Sequence, residues 1–279
     1  MSPRLPAMTD RERLLALLDM FESALADFTD LVRELGDEEW ELPTDLPGWT
    51  VHDLVSHTAH LEAVLAGSPE ETVVVPQGLP HVTSLMGFYT EQGVITRKER
   101  TRDELLAEIA AAAGQRLRET RADPPDDGAA SPPKTPGDIG WSWRTLLSNR
   151  PLDVWMHEQD IRRATDRPGH LDSVAARHAV AVFTRGLGSV WGKKVGAAAG
   201  ESAAVELSDT GHRFAVTVGG DGRGVAAPAD ARVDTTLRLD TGTFVVLCGG
   251  RRAPGTQHVE VLGDPDLGER LRGSLAMTP

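Results

Sequence analysis

The strongest constraint on the fold is an apolar stripe near the start of the chain. Thr9 and Glu12 have the spacing of a capping box ahead of the stripe, and Gly36 follows it. The spacings within the stripe alternate between four and three, which places its residues on one face of an α-helix. The stripe consists of Leu14, Leu18, Phe21, Leu25, Phe28, Val32 and Leu35. We predict a long helix that serves as core scaffold of a bundle.

Helical patterns continue to about residue 195. The Pro- and Gly-rich stretch from Ala122 to Asp138 interrupts them and predicts a long loop. Pro151 either kinks the helix in which it lies or begins a new one. The further predicted helices run from the Thr50 cap to about Gly67, from Arg102 to about Arg121, from near Trp143 onwards, and from about Asp172 to Trp191.

After Gly200 the pattern changes from helical to alternating. The segments AVELSD, RFAVTV, TTLRLD and VEVLGD alternate apolar and polar residues, with Gly and Asp turns between them, which is typical of strands. TFVVLCGG predicts a short apolar helix, and DPDLGERLRGSLAM predicts a closing helix. The fold class is therefore α + (α+β), with a helical bundle over residues 1–195 and a small α+β domain over residues 196–279.

Charge and cysteine content exclude several classes of function. The formal net charge of −13 repels phosphate backbones and anionic lipids, so we expect no nucleic acid and no membrane as partner. The single cysteine, Cys248, excludes an internal disulfide and a Cys-rich zinc site. No apolar signal core follows the N-terminal MSPRLPAMTDRER, and no run reaches roughly 18 apolar residues. A cytoplasmic monomer is the simplest expectation.

One histidine of the second predicted helix lies on its apolar face. His57 falls among Leu54, Leu61 and Val64, whereas His52 and His60 are expected on the solvent side. Taken alone, His57 fits a core histidine bonded to a backbone carbonyl. A functional role needs further ligands from elsewhere in the chain.

Such ligands occur in the segment RPLDVWMHEQDIRRA. Asp153, His157 and Asp160 share one helix face, and a carboxylate and an imidazole one turn apart can chelate a single ion. Two alternatives stay open: Asp153 favours the positive end of a helix, or Asp160 pairs on the surface with Arg162, Arg163 or Arg150. Together with His57, however, Asp153 and His157 supply two imidazoles and one carboxylate. That set suits Zn²⁺ or another divalent first-row ion with one position open for a water or a substrate.

Both segments resemble the mycothiol-dependent maleylpyruvate isomerase family. LPGWTVHDLVSHTAHLEAVLAG is similar to the family's second helix, in which a Gly-Trp pair precedes a histidine by about eight residues; Trp49 and His57 match. LDVWMHEQDIRRATDRPG is similar to the second signature, an acidic residue four positions before a histidine; Asp153 and His157 match. The resemblance implies a DinB-like four-helix bundle with His57, Asp153 and His157 as ligands of a metal that is usually zinc.

The acidic position departs from the family's pattern. Members of the family carry Glu there, and Asp153 is shorter by one methylene. The geometry or the affinity of the metal site is therefore expected to differ, or else Glu158 or a water completes the shell. The Ala122 to Asp138 loop is an addition relative to the simplest members, which favours a different substrate.

The C-terminal part resembles the family's small sterol-carrier-like domain, through VEVLGDPDLGERL and FVVLCGGRR. The family's functional arginine there corresponds to Arg251, with Arg252 next to it, although both also fit surface charges. Trp155 is a candidate for the wall of the site. The resemblance implies mycothiol as thiol cosubstrate and a small electrophile as substrate, in an isomerase or an S-transferase reaction.

Two other classes of function stay open at this point. In a metal-assisted hydrolase, Asp160 or Glu158 would be the candidate base. In a non-catalytic binding protein, the C-terminal domain would hold an apolar ligand in a tunnel. Cys248 lies in an apolar run and is expected to be buried and inert.

Overall fold

A computed structural model describes residues 8–278 of the chain. Residues 1–7 lie outside the described residues, and they include part of the N-terminal segment for which no apolar signal core was predicted. The chain divides between Gly169 and His170 into two compact units. No helix of the described residues is long and apolar enough to cross a membrane.

The first unit is helical, as predicted. The long helices α1, α3, α5 and α6 pack together, and α4 packs on α3. Capping boxes at Thr9, Thr50 and Thr101 begin α1, α3 and α5, because each threonine accepts from the backbone and the acidic residue three positions later reaches back. The helices are α1 (Asp10–Glu34), α2 (Asp37–Trp40), α3 (Val51–Leu65), α4 (Leu85–Ile95), α5 (Arg102–Ala122) and α6 (Trp143–Ala164).

Helix α3 is buried along its whole length, and this corrects the solvent-side prediction for His52 and His60. The ring of His52 lies edge-on to Trp40, with 5.4 Å between centroids, and its Nε2 is 3.1 Å from the Arg100 carbonyl oxygen. His60 is covered by α4, where Tyr89 lies 5.3 Å from it between ring centroids. The sequence analysis did not predict α4, and without that helix one face of α3 looked solvent-exposed.

The helix α6 is continuous across Pro151, so no new helix begins there. The prolyl side chain is buried, together with most of the helix from Arg150 to Ile161. This helix therefore carries Asp153, His157 and Asp160 on one uninterrupted scaffold, as their spacing predicts.

The second unit is a five-stranded sheet with three helices. The strand order is β3-β2-β1-β4-β5, in which β1 and β4 are parallel and the other pairs are antiparallel. The predicted strands and both predicted helices are present, whereas β3 was not predicted. The elements are α7 (Val174–Ser189), β1 (Ser202–Leu207), β2 (Arg213–Val218), β3 (Gly224–Ala227), β4 (Thr235–Leu239), α8 (Thr241–Cys248), β5 (Glu260–Gly263) and α9 (Pro265–Ser274).

The division at Gly169 differs from the boundary expected at residue 195, because α7 belongs to the second unit. The helix packs against β2 and β3, and its Phe183 lies edge-on to Phe244 of α8, with 6.4 Å between ring centroids. Backbone contact explains the close fit: a Cβ on Gly188 would lie 2.6 Å from the Gly224 carbonyl oxygen. The helical pattern of α7 could not reveal that its apolar face covers a sheet.

Candidate metal centre

Helices α3 and α6 bring the three predicted ligands together. His57, Asp153 and His157 each offer one ligand atom, and these atoms lie within 4.8 Å of one another. The two imidazole rings are nearly perpendicular, at 83°, with 5.1 Å between centroids. Asp153 Oδ1 lies 3.7 Å from His157 Nε2. Both imidazoles are buried and the Asp153 side chain is one quarter exposed, so the group has one side open to a small ligand.

Two buried nitrogen atoms of this group have no hydrogen-bond partner among residues 8–278. They are His57 Nδ1 and His157 Nε2. Buried polar atoms are almost always paired, and an unpaired one needs an explanation such as an ion. A divalent metal fits, because it takes imidazole nitrogens and a carboxylate oxygen as ligands and a three-ligand set leaves a position open.

Asp160 lies on the other side of the His157 ring. His157 Nδ1 is 3.3 Å from Asp160 Oδ2, and Asp160 Oδ1 accepts from Arg163, which also bonds Asp45 at 2.6 Å. A proton held on Nδ1 by this carboxylate leaves the lone pair of Nε2 on the side of Asp153. Asp160 is fully buried in this position. It therefore orients the imidazole of His157.

Arg150 orients Asp153, the third candidate ligand. Its Nη1 donates to Asp153 Oδ2 at 2.9 Å, while its Nε and Nη2 donate to Glu62 Oε1 at 3.0 and 2.8 Å. Burial alone would raise the pKa of the Asp153 carboxyl. The positive charge of Arg150, together with the hydrogen bond that it donates, acts in the opposite direction, and the pKa is held well below its usual value. The carboxylate is thus ionised, with Oδ2 occupied by Arg150 and Oδ1 beside His157.

Burial lowers the pKa of an imidazole, in contrast to its effect on a carboxyl, and His57 is buried in α3. Desolvation, reinforced by the nearby His157, lowers the pKa of His57 well below its usual value. The imidazole is therefore neutral, which is the form that binds a metal.

Trp49 covers His57, and an acid of α4 fixes it there. The indole and imidazole rings lie 5.0 Å apart between centroids, tilted by 41°. Trp49 Nε1 donates to Glu91 Oε2 at 2.9 Å, and His81 Nε2 lies 3.0 Å from the same oxygen. Gly48 has φ +81°, and a Cβ there would lie 2.2 Å from His81 Nδ1. Sequence reasoning missed Glu91 and His81, because neither belongs to a recognisable motif and α4 itself was not predicted.

The remaining predicted site residues lie outside the three-residue group, two in the first unit and two in the second. Trp155 is fully buried in α6, and Glu158 is buried and accepts from Arg162 Nε at 2.7 Å. Neither belongs to the three-residue ligand group. Arg251 and Arg252 belong to the second unit, where Arg251 donates to the Gly249 carbonyl at 2.8 Å. The candidate metal centre lies within the first unit.

Comparison with known proteins identifies the family. The sequence profile of the mycothiol maleylpyruvate isomerase N-terminal domain matches residues 21–162, slightly more than half of the chain. The chain belongs to the mycothiol-dependent maleylpyruvate isomerase family. All three residues of the candidate metal centre lie inside the matched range, whereas Arg251 and Arg252 lie beyond it.

Two solved structures of the mycothiol-dependent maleylpyruvate isomerase have a similar fold. One, a histidine-to-alanine mutant, is 15% identical in sequence with a TM-score of 0.58, and the alignment covers 91% of this chain and 95% of that chain. The other is 16% identical with a TM-score of 0.56 and the same coverage. At this identity the likeness establishes the isomerase fold, with a helical region followed by a sheet domain. The sequence has no significant match among curated proteins.

Proposed function

We propose that this member of the isomerase family is a metal-dependent enzyme that uses mycothiol as cosubstrate, as an isomerase or an S-transferase. The observation that carries the proposal is the pair of unpartnered nitrogens, His57 Nδ1 and His157 Nε2, beside the ionised Asp153. These three residues would hold the ion. A bound divalent metal lowers the pKa of a thiol and so favours the thiolate, which is the nucleophilic form.

The burial of the only thiol of the chain supports the proposal that the nucleophile comes from another molecule. Cys248 is fully buried, and burial raises the pKa of its thiol well above the usual value. A protonated, buried thiol is unreactive. The nucleophile is therefore supplied by a cosubstrate, and the family name indicates mycothiol.

The chemistry balances without any further reactant. In the isomerase reaction, the thiolate sulfur bonds to one carbon of a cis double bond that is conjugated to a carbonyl, and the π electrons move to the carbonyl oxygen. The resulting single bond rotates, the electrons return, and the thiolate leaves. In the S-transferase reaction, the same attack expels a leaving group. A small electrophilic substrate is required in both.

The protein's own residues orient and shield this reaction. Asp160 and Arg150 fix two ligands from behind, and Trp49 forms an apolar wall beside His57. Arg251 stays our candidate for binding an anionic substrate group, with Arg252 and Trp155 as further candidates for contact with the cosubstrate. No observation favours the hydrolase alternative, because Asp160 pairs with Arg163 and Glu158 pairs with Arg162.

The binding-protein alternative requires an apolar tunnel in the second unit. That unit has a cleft of about 600 Å³ between α7 and the β2–β3 edge of the sheet. Two arginines, Arg185 and Arg213, line it together with Phe214, Val216 and smaller residues. The cleft is thus of mixed polarity, and it does not favour the apolar-ligand reading.

Elemental analysis of the purified protein tests the proposal. About one divalent ion per chain is expected in the wild type and none in His57→Ala. His52→Ala is the matched control, because it removes an equally buried histidine of the same helix that contacts Trp40 and Arg100 instead of the metal group. Assays with mycothiol and a panel of electrophiles follow. A wild-type protein that binds no metal after reconstitution with zinc would refute the proposal.

A further inference from the structure

Two of the three candidate metal ligands are oriented by a charged neighbour, whereas His57 is not. Asp160 Oδ2 lies 3.3 Å from His157 Nδ1, and Arg150 donates to Asp153 at 2.9 Å. His57 Nδ1 has no hydrogen-bond partner among the described residues. Because a metal-binding histidine owes its ring orientation to a neighbouring group, another kind of contact must fix the imidazole of His57.

The indole of Trp49 makes that contact. Its ring lies 5.0 Å from the imidazole of His57 between centroids, tilted by 41°. The backbone of Trp49 is held within the loop before α3, since the amide and the hydroxyl of Thr44 both donate to its carbonyl, at 3.0 and 2.9 Å. The two side-chain torsions of Trp49 are not set by those bonds, so the angle between the two rings depends on what holds the indole itself.

Glu91 of α4 holds the indole at its only polar atom. Trp49 Nε1 donates to Glu91 Oε2 at 2.9 Å, and Glu91 is only 7% exposed. An indole has a single N–H donor and no acceptor, so this bond is the one polar contact that can set the rotation of the ring. Trp49 and Glu91 are 42 residues apart in the chain, so α4 reaches His57 through Trp49.

His81 closes these contacts into a ring. Its Nε2 lies 3.0 Å from the same Glu91 oxygen that accepts from Trp49. Its other nitrogen packs against the backbone of Gly48, where a Cβ would lie 2.2 Å from Nδ1. His81 therefore lies between the carboxyl of Glu91 and the residue that precedes Trp49, and it restrains both.

Glu91 is not placed to bind a metal itself. Among residues 8–278 it belongs to neither group that brings three ligand atoms within 4.8 Å of one another, and its Oε2 is engaged by Trp49 and His81. The alternative to a role at the metal centre is a purely structural one, in which Glu91 ties α4 to the loop before α3. That role would lower the unfolding free energy when lost, but it would not alter the ring of His57.

We infer that Glu91 is a positioning residue of the candidate metal centre, which acts through Trp49 to fix the ring of His57. Trp49 does for His57 by ring packing what Asp160 does for His157 by a hydrogen bond. The inference rests on the proposed function in one respect: its consequence for zinc requires His57 to bind the metal, whereas its consequence for the His57 ring does not.

NMR spectroscopy of the metal-free protein tests the effect of Glu91 on the His57 ring. The indole N–H of Trp49 and the ring protons of His57 are assigned by their loss in Trp49→Phe and His57→Gln. In Glu91→Leu, which removes the acceptor, we expect the indole N–H to exchange with solvent about tenfold faster and the His57 ring protons to shift. Glu91→Gln keeps an acceptor oxygen, so its spectrum should stay close to that of the wild type. Tyr89→Phe is the matched control, because it alters a buried residue of the same helix that lies against His60 instead.

Zinc affinity then shows whether Glu91 acts through Trp49. Competition with a chromogenic chelator compares the wild type, Glu91→Leu, Trp49→Phe and the double variant. We expect each single substitution to weaken zinc binding about fivefold or more. The double variant should bind zinc no more weakly than Trp49→Phe alone, because the carboxyl then has no indole N–H to hold.

Shifted His57 resonances in Glu91→Leu, near-normal ones in Glu91→Gln and a non-additive double variant would support the positioning role. Unchanged His57 resonances in Glu91→Leu, equal shifts in Tyr89→Phe, or additive losses of zinc affinity would overturn it. A wild type that binds no zinc after reconstitution would refute the proposed function instead, and the spectra of the metal-free protein would still decide the role of Glu91.

Discussion

Arg150 Nη1 lies 2.9 Å from Asp153 Oδ2, so a buried guanidinium holds the only acidic ligand of the candidate metal centre. The same guanidinium bonds Glu62, which Arg116 also contacts at 2.5 Å. The interior of the bundle is therefore linked through one arginine to the orientation of Asp153. One carboxylate oxygen is already engaged, which favours a metal bond through the other oxygen alone.

This link predicts that Arg150→Lys weakens zinc binding. Lysine keeps the charge but lacks the planar fork, so it cannot hold Glu62 and Asp153 in the same geometry. We expect zinc affinity to fall about tenfold or more, measured by competition with a chromogenic chelator. Arg116→Lys is the control, because it disturbs Glu62 without touching Asp153. Equal affinity in wild type and Arg150→Lys would contradict the orienting role.

Asp160 is predicted to act through His157. In Asp160→Asn the amide no longer provides an anionic acceptor for His157 Nδ1, so the imidazole is held less firmly. Zinc affinity is expected to fall about tenfold. Asp45→Asn is a close control, since Asp45 accepts a hydrogen bond from the same Arg163. A similar loss in both variants would assign the effect to Arg163 instead.

The backbone conformation of Gly48 explains why the Gly-Trp pair begins with glycine. Its φ of +81° disfavours any side chain, and a Cβ would lie 2.2 Å from the ring of His81. Gly78 has almost the same φ, +80°, but a Cβ there would meet nothing within 4 Å. We expect Gly78→Ala to cost about 1 kcal/mol of unfolding free energy and Gly48→Ala about 3 kcal/mol. Chemical denaturation measures both changes in unfolding free energy. Equal changes would show that the ring of His81 moves aside at no energetic cost.

Features set by contacts between residues close in sequence were predicted correctly, whereas features set by distant contacts were not. Thr9 and Thr50 begin helices through bonds three residues away, so their caps were predictable. Asp153 and His157 share a face because of helical spacing alone. Glu91 and His81, by contrast, depend on α4 and on the chain before it, and α4 carries apolar residues on all sides with no single stripe. His60 was misplaced for the same reason.

The short strand β3 was unpredictable for a related reason. It has only four residues, GVAA, and begins with Gly224, so no alternation of apolar and polar side chains exists to be read. It forms because Gly188 and Gly192 of the preceding helical segment admit its backbone. Contacts of this kind are set by the absence of side chains, and they become visible only in the folded chain.

The buried His57 predicts how stability depends on pH. Its pKa in the folded protein is lowered, chiefly by burial, so below about pH 6.5 the unfolded chain binds a proton that the folded chain does not. The contribution of His57 to the stability of the metal-free protein is therefore complete above about pH 6.5 and is lost as the pH falls, by up to about 1.4 kcal/mol per pH unit. His57→Gln should remove that part of the slope, while His60, whose pKa burial also lowers, retains its own. Urea denaturation of both proteins at several values between pH 5 and 8 measures the slopes. Parallel curves would mean that His57 takes up a proton in the folded state as readily as in the unfolded one, which its burial between Trp49 and His157 argues against.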